Sequence, residues 1–379
     1  MSSVFDVADV LVQHAVRKHG DEIGIIAYYG SHATGTATDR SDLDLFYTPD
    51  DIASTMDLYA SFVLDGRPYE FWPISWQRLG RMASAEEYWA VSAGLIASAK
   101  VLYHRSEGDL ERFEALRSKV GDLQTPERRP EMVGRALASY PSVLNSLGKL
   151  RLEVRSSHLP GVRWAGWEVV TSSVECLALV NQTYFNKGWG SNHEEVLRLR
   201  ERPEGLEGLI EAITTSDDVG SVLAASEELA YGTREILLRA QREVSKGETV
   251  GAVFRDYYPG IREYVNKIVS AVEDGRPMAA KYAAARIQAE CGGMLSRALT
   301  GVENGAFNLY SEYHEAYMER GFPDLMGSTT PARHSELVES AGRLDARSIS
   351  FLREAGLGHN VLEDLDHLRR FLEERSPGG

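Results

Sequence analysis

The chain has little cysteine, little excess positive charge and no long apolar run. Its two cysteines, Cys176 and Cys291 among 379 residues, give no ligand pair at zinc-finger spacing and no disulfide framework. No stretch of about 18 apolar residues is present, so no membrane-spanning helix is expected. The first twenty residues alternate apolar and charged side chains. They lack the unbroken apolar core of a signal peptide, which sets the expectation of a cytoplasmic protein. Lys plus Arg number 41 against 56 Asp plus Glu, a formal net charge of −15. Such a surface repels a phosphate backbone, which argues against general nucleic-acid binding and leaves only a local basic groove open. Internal repeats and low-complexity tracts are also missing.

What is present is ordinary globular usage, 43% hydrophobic and 26% charged, over a length that suggests two or three domains. Val4 to His19 carries apolar residues at helical spacing and reads as an amphipathic helix stopped by Gly20. Ile23 to Tyr29 is apolar and β-branched, a buried strand ending at Gly30-Ser31. Leu43, Leu45, Phe46 and Tyr47 make a second strand closed by Pro49. Tyr69 to Trp72 reads as a third strand, and Lys100 to His104 as a short later one.

From about Leu110 onward Leu, Ala, Glu and Arg dominate. Helices are expected over Arg135–Arg155, Trp164–Phe185, Leu206–Ile213, Val219–Val244, Ile261–Val272 and Pro277–Leu299. Turn signals separate them at Leu159-Pro160-Gly161, Lys187-Gly188-Trp189-Gly190, Tyr258-Pro259-Gly260 and Gly275-Arg276-Pro277. Gly321 to Arg333 reads as a long loop or lid, and the last residues, Arg375 to Gly379, as frayed. The fold class expected is α+β: a small mixed sheet followed by an all-helical region.

The chemistry is concentrated in Gly30 to Leu45, GSHATGTATDRSDLDL. A strand ends at a Gly-Ser turn where a short helix starts. Gly30 lets a ligand approach the backbone, the Ser31 hydroxyl can bond a phosphate oxygen, and free N–H groups at a helix start favour an anion. Eleven positions after Ser31, Asp42 and Asp44 stand two apart on a strand and so share a face. Two converging carboxylates are costly without a cation. Mg²⁺ prefers hard oxygens and commonly joins protein carboxylates to substrate phosphates. Glu70, set between aromatics on the third strand, can reach the same centre if that strand lies beside the second. Three carboxylates, divalent metal and a triphosphate fit phosphoryl transfer.

This arrangement of strand, Gly-Ser, Asp-x-Asp and a later strand acid resembles the nucleotidyltransferase superfamily of DNA polymerase beta. Within it, the chain is most similar to the aminoglycoside nucleotidyltransferases of the kanamycin type. The helical stretch LALVNQTYFNKGWG with RPEGLEGLIEAI extends the resemblance to about residue 230. It implies a catalytic domain over 1–120 and a helical domain over 121–245; residues 246–379, which it does not explain, read as an additional helical domain of unassigned role. It implies that Asp42, Asp44 and Glu70 are the catalytic and metal-binding acids. Gly30 and Ser31 match the phosphate-binding turn, and Ser41 and Lys149 are counted with them as nucleotide-binding. The implied reaction moves a nucleoside monophosphate from an NTP, ATP first among them, to a hydroxyl of a small molecule such as an aminoglycoside-like antibiotic. Mg²⁺ is the implied cofactor and a homodimer the implied assembly. The alternative activity is nucleotidylation of a protein target by an antitoxin-type module.

The sequence also departs from the pattern. Thr34 stands where many relatives have a phosphate-contacting Arg. Aligning Lys149 with the family's lysine puts Asn145 where relatives have a catalytic Glu, which leaves Glu153, Glu168 or Glu70 to act as base. Other residues have blander readings. Trp164, Trp167, Tyr184, Phe185 and Trp189 are expected to pack between helices. Glu194, Glu195, Glu201, Glu204, Glu207 and Glu211 are expected to form a solvated acidic surface, able to attract a cationic substrate. Arg151 and His158 share the Arg-x₆-His spacing of HEPN-type ribonucleases, a spacing that chance also produces. The tyrosines at 257, 258 and 310–317 are candidates for an acceptor pocket or a dimer surface.

Overall fold

The computed structural model describes residues 3–188, 191–245, 253–254, 256–300, 307, 309–327, 334–358 and 360–375. Trp189, Gly190, the 328–333 part of the expected lid and the last four residues lie outside them. The chain divides into two compact units, Met1–Ala240 and Gln241–Gly379. No helix among the described residues is long and apolar enough to cross a membrane.

The first unit opens with α1 (Val4–His19), whose N-cap Ser3 and Asp6 form a reciprocal capping box and whose last turn is basic, favourable at both ends of the helix dipole. Then follow β1 (Ile23–Tyr29), the single-turn α2 (Ser31–Thr34), β2 (Leu43–Pro49), β3 (Ala60–Leu64), β4 (Arg67–Pro73), α3 (Trp76–Ala83), α4 (Trp89–Ser98) and β5 (Lys100–His104). The sheet order is β3-β4-β2-β1-β5. Only β2 and β4 run parallel; the other pairs are antiparallel, so the sheet is mixed as expected. Leu43, Leu45, Tyr47, Tyr69 and Phe71 alternate along β2 and β4 and pack with Val4, Val7 and Ala8 of α1. Period-two alternation thereby sends the intervening residues, Asp44 and Glu70 among them, to the opposite face.

The sequence reading passed over β3. Its residues are mostly exposed, as befits an edge strand, so the buried-run signal is weak. The turn that joins it to β4 is nonetheless written plainly. Asp65 and Gly66 both have positive φ, 51° and 77°, the geometry of the tight hairpin turn that an Asp-Gly pair favours.

The rest of the unit is helical: α5 (Glu107–Leu123), α6 (Arg129–Val154), α7 (Leu159–Val180), α8 (His193–Leu197), α9 (Leu206–Thr215) and α10 (Val219–Val244). The stretch Leu159-Pro160-Gly161, expected as a turn, is instead the first turn of α7. Proline is at home there because the N–H it lacks has no partner in a helix's first turn, and His158 Nδ1 accepts the N–H of Gly161 at 3.2 Å.

The second unit contains α11 (Tyr258–Glu273), α12 (Pro277–Thr300), α13 (Tyr310–Glu319), α14 (His334–Glu354) and α15 (Leu365–Arg375). Pro259 and Pro277, expected in turns, again open helices. The core gathers Phe254, Tyr317, Phe322 and Phe351. Tyr258 and Tyr317 are core residues, 5% and 1% exposed. Where a loop was expected, the described residues 324–327 are tied to buried Gln288. Its Oε1 accepts the N–H of Leu325 at 2.7 Å and of Met326 at 2.9 Å, and its Nε2 donates to Asp324 at 3.0 Å.

Candidate active site

The site begins where β1 ends. Gly30 has φ 75° and ψ −151°, a combination open essentially to glycine alone. Its carbonyl accepts the N–H of Ala33 and of Thr34, both at 3.1 Å, which turns the chain into α2 with Ser31 as its first residue. A Cβ on Gly30 would lie 3.2 Å from Asp44 Oδ2, so the turn and the carboxylate are packed edge to edge.

Strand register places the acids. Asp44 is paired with Tyr29 of β1 on one side and with Glu70 of β4 on the other, and Glu70 is paired with Ser61 of β3. Laterally paired residues point to the same face of a sheet. Ser61, Glu70, Asp44 and Tyr29 therefore form one row across four strands. Asp42 sits one residue before β2. Asp42 and Glu70 are exposed, and Asp44 is partly buried. Burial, then the negative charges of Asp42 and Glu70, push the Asp44 carboxyl up to about 6. Tyr29 holds its proton more tightly than a free phenol, chiefly through burial and then through Asp44. Its oxygen accepts the indole N–H of Trp72 at 3.3 Å.

Among the described residues no ion pair engages Asp42, Asp44 or Glu70, and no three acids, histidines or cysteines cluster tightly enough to cage a metal. The donor set is hard, anionic and uncompensated. That chemistry fits a divalent cation of the Mg²⁺ type, which uses one or two carboxylates and completes its shell with water and substrate phosphates rather than with a protein cage.

A cavity of ≈ 390 Å³ opens beside this row, walled by Tyr29, Asp44 and Trp72 from the sheet, by Gly30 of the turn, by α3 and α4, and by residues 185–188. Its α4 wall is anchored by a residue the sequence reading missed. Glu175, buried on α7, accepts the backbone N–H groups of Trp89 and Ala90 at 2.7 and 2.8 Å. It thus caps α4 from another helix, a favourable place for a carboxylate. Phe185 N–H donates to Ala90 O at 2.7 Å, and Trp89 Nε1 donates to Thr183 O at 2.7 Å. Gly94 permits this closeness, because a methyl there would run into the carbonyl of Phe185. Burial pushes the Glu175 carboxyl up to about 7 against the pull of its two N–H bonds. Arg78 and Lys187 also reach the cavity wall. Tyr29 could have been found from the strand pairing; Glu175, Arg78 and Lys187 carry no local signal.

The remaining expected residues fall elsewhere. Ser41 accepts the Thr38 N–H through its Oγ at 2.8 Å and braces the loop before Asp42. Lys149 is exposed on α6, pairs with Glu168 at 3.2 Å and does not line the cavity that holds Asp44. Asn145 and Glu153 are exposed as well. Arg151 is bonded to Glu227 at 2.7 Å and His158 caps α7, so both have structural employment. Trp164, expected in helix packing, is 66% exposed. Glu201, expected on the solvated surface, is drawn in by Arg129 at 2.8 Å. Cys176 and Cys291 are buried and free. A larger cavity, ≈ 480 Å³, opens beside Trp167, His193, Glu207 and Glu211. It holds none of the row's acids.

Residues 110–243 match the family model of the KNTase C-terminal domain, a span that runs through the helices from α5 to α10. No curated protein matches the chain. Among solved structures, a nucleotidyltransferase-like protein from Exiguobacterium sibiricum is similar at 14% identity and a TM-score of 0.36, covering 64% of this chain and 84% of that one, a likeness too remote to argue from. The mixed five-stranded sheet followed by helices is the α+β architecture expected from the sequence. The match to the KNTase C-terminal domain over the helical part of the first unit supports a nucleotidyltransferase.

Proposed function

We propose that the first unit transfers a nucleoside monophosphate from an NTP, ATP being the first choice, to a hydroxyl of a small molecule. The observation that carries this reading is the register of β2 with β4, which sets Asp44 beside Glu70 next to the Gly30 turn. Asp42 and Asp44 would hold Mg²⁺, with Glu70 beside them. The bound ion would neutralise charge developing on the phosphoryl oxygens. Gly30 and Ser31 would receive the β- and γ-phosphates, with Ser41 holding the loop that presents Asp42. Glu70 would take the acceptor's proton as the new O–P bond forms, the α–β anhydride breaks and pyrophosphate leaves. Apart from the ion, the protein's contribution would be positioning and preorganised charge. Lys149 is left out of this centre because it does not line the cavity and is paired with Glu168.

Asp42→Asn and Asp44→Asn, each alone, are expected to abolish pyrophosphate release from labelled NTP while the circular dichroism melt stays cooperative. Release that persisted in both variants would refute the assignment.

A further inference from the structure

The cavity beside Asp44 also bears on the acceptor. Resting on the transfer reading above, we infer that this cavity seats the acceptor and is shaped for an uncharged flat ring bearing a hydroxyl, not for a polyamine. Its volume, ≈ 390 Å³, lies in the lower part of the roughly 300–1,000 Å³ range of small-molecule sites. Trp72, Tyr88 and Phe185 line it, with Val91 and Leu95 from one face of α4. Such walls suit the face of a ring.

The charges on the wall tell against a polycation. Tyrosines apart, the ionisable side chains there are Asp44, Arg78, Glu87 and Lys187. Glu87 is already held by Arg78 at 2.7 Å and by Arg81 at 3.1 Å. Arg78 also lies over the Trp72 ring at 5.7 Å. Asp44 is the one acid left, and it belongs to the transfer centre. An ammonium group entering the cavity would meet Arg78 and Lys187, and the one carboxylate left to answer it, Asp44, is the one the metal would occupy; burying an unpaired charge is expensive. A neutral ring pays no such penalty. Lying against Trp72, it would bring a ring hydroxyl to Asp44 and to the Tyr29 hydroxyl. The Tyr29 oxygen is already an acceptor for Trp72, which leaves its proton to donate to that hydroxyl oxygen.

The test is calorimetry on the full chain with Mg²⁺, using 2-naphthol, spermine, ATP and inorganic tripolyphosphate as probes. Leu95→Trp narrows the cavity from a partly exposed position on α4, and Val91→Phe is the second variant should the first melt early. The expected result is that 2-naphthol binds the wild type, that either variant weakens it at least tenfold, and that ATP and tripolyphosphate bind the variants as they bind the wild type. Lys187→Glu is expected to raise spermine affinity at least tenfold. Three outcomes would overturn the inference: spermine displacing 2-naphthol from the wild type, 2-naphthol unaffected by both variants, or both variants weakening ATP while sparing tripolyphosphate, which would assign the cavity to the nucleobase. Wild-type protein that bound neither ATP nor tripolyphosphate would instead sink the transfer reading itself.

Discussion

Glu175 is the residue through which α7 holds the α4 wall of the cavity, and replacing it has a calculable cost. Its carboxylate is the acceptor for two buried N–H groups, those of Trp89 and Ala90. Glu175→Ala strands both donors. At about 1–3 kcal/mol for each unsatisfied buried group, the loss is about 2–6 kcal/mol. Glu175→Gln keeps one acceptor oxygen and turns an amide N–H₂ toward the second donor, a loss of about 1–2 kcal/mol. The acid also gives stability a pH dependence. Burial moves its pKa from the ordinary 4.5 to about 7, so between those values the folded protein keeps a proton that the unfolded chain releases. The contribution of this group is greatest at and below pH 4.5, declines as pH rises to 7, and is flat above. At about 1.4 kcal/mol per unit the decline is roughly 3 kcal/mol. Urea denaturation of wild type and Glu175→Gln between pH 4.5 and 8 isolates it as a difference, since the other titrating groups are common to both. A difference that stayed constant across that window, or moved in favour of wild type as pH rose, would refute the reasoning.

Two further substitutions probe the row itself. Gly30→Ala forces a side chain into a conformation reserved for glycine and against Asp44; it should cost about 1–3 kcal/mol in a thermal or urea melt and reduce transfer, and an unperturbed melt would contradict the close packing described. Tyr29→Phe removes the acceptor of the Trp72 indole; a loss of about 1 kcal/mol is expected with the sheet intact, seen also as a shift in tryptophan emission, and unchanged emission would argue against that hydrogen bond.

Much of the sheet could be read from the sequence because its signals are local. The β1 run is continuous and apolar, Gly30-Ser31 ends it, and the alternation Leu43-Asp44-Leu45 declares one buried and one polar face. The pairing of Glu70 with Asp44 could only be conditional, since nothing in residues 67–73 names the neighbouring strand. The missed β3 shows a tertiary feature hiding a local one, because an exposed edge strand lacks the buried run even though Asp65-Gly66 marks its turn. Prolines misled in three places for one reason: the same residue that closes a helix also opens the next. Glu175 was beyond reach of the sequence. It sits 85 residues or more from the N–H groups it accepts, and on α7 it looks like any helix glutamate. Lys149 rests on a motif alignment, which cannot see that Glu168 stands across the helix pair within 3.2 Å of it.

The most direct measurement of the central claim is a calorimetric titration of each NTP against the wild type and Asp44→Asn, with and without Mg²⁺. The account predicts that one NTP binds in a Mg²⁺-dependent manner and that Asp44→Asn abolishes the metal-dependent part. Binding that ignored both the metal and the substitution, or no binding of any NTP, would contradict it.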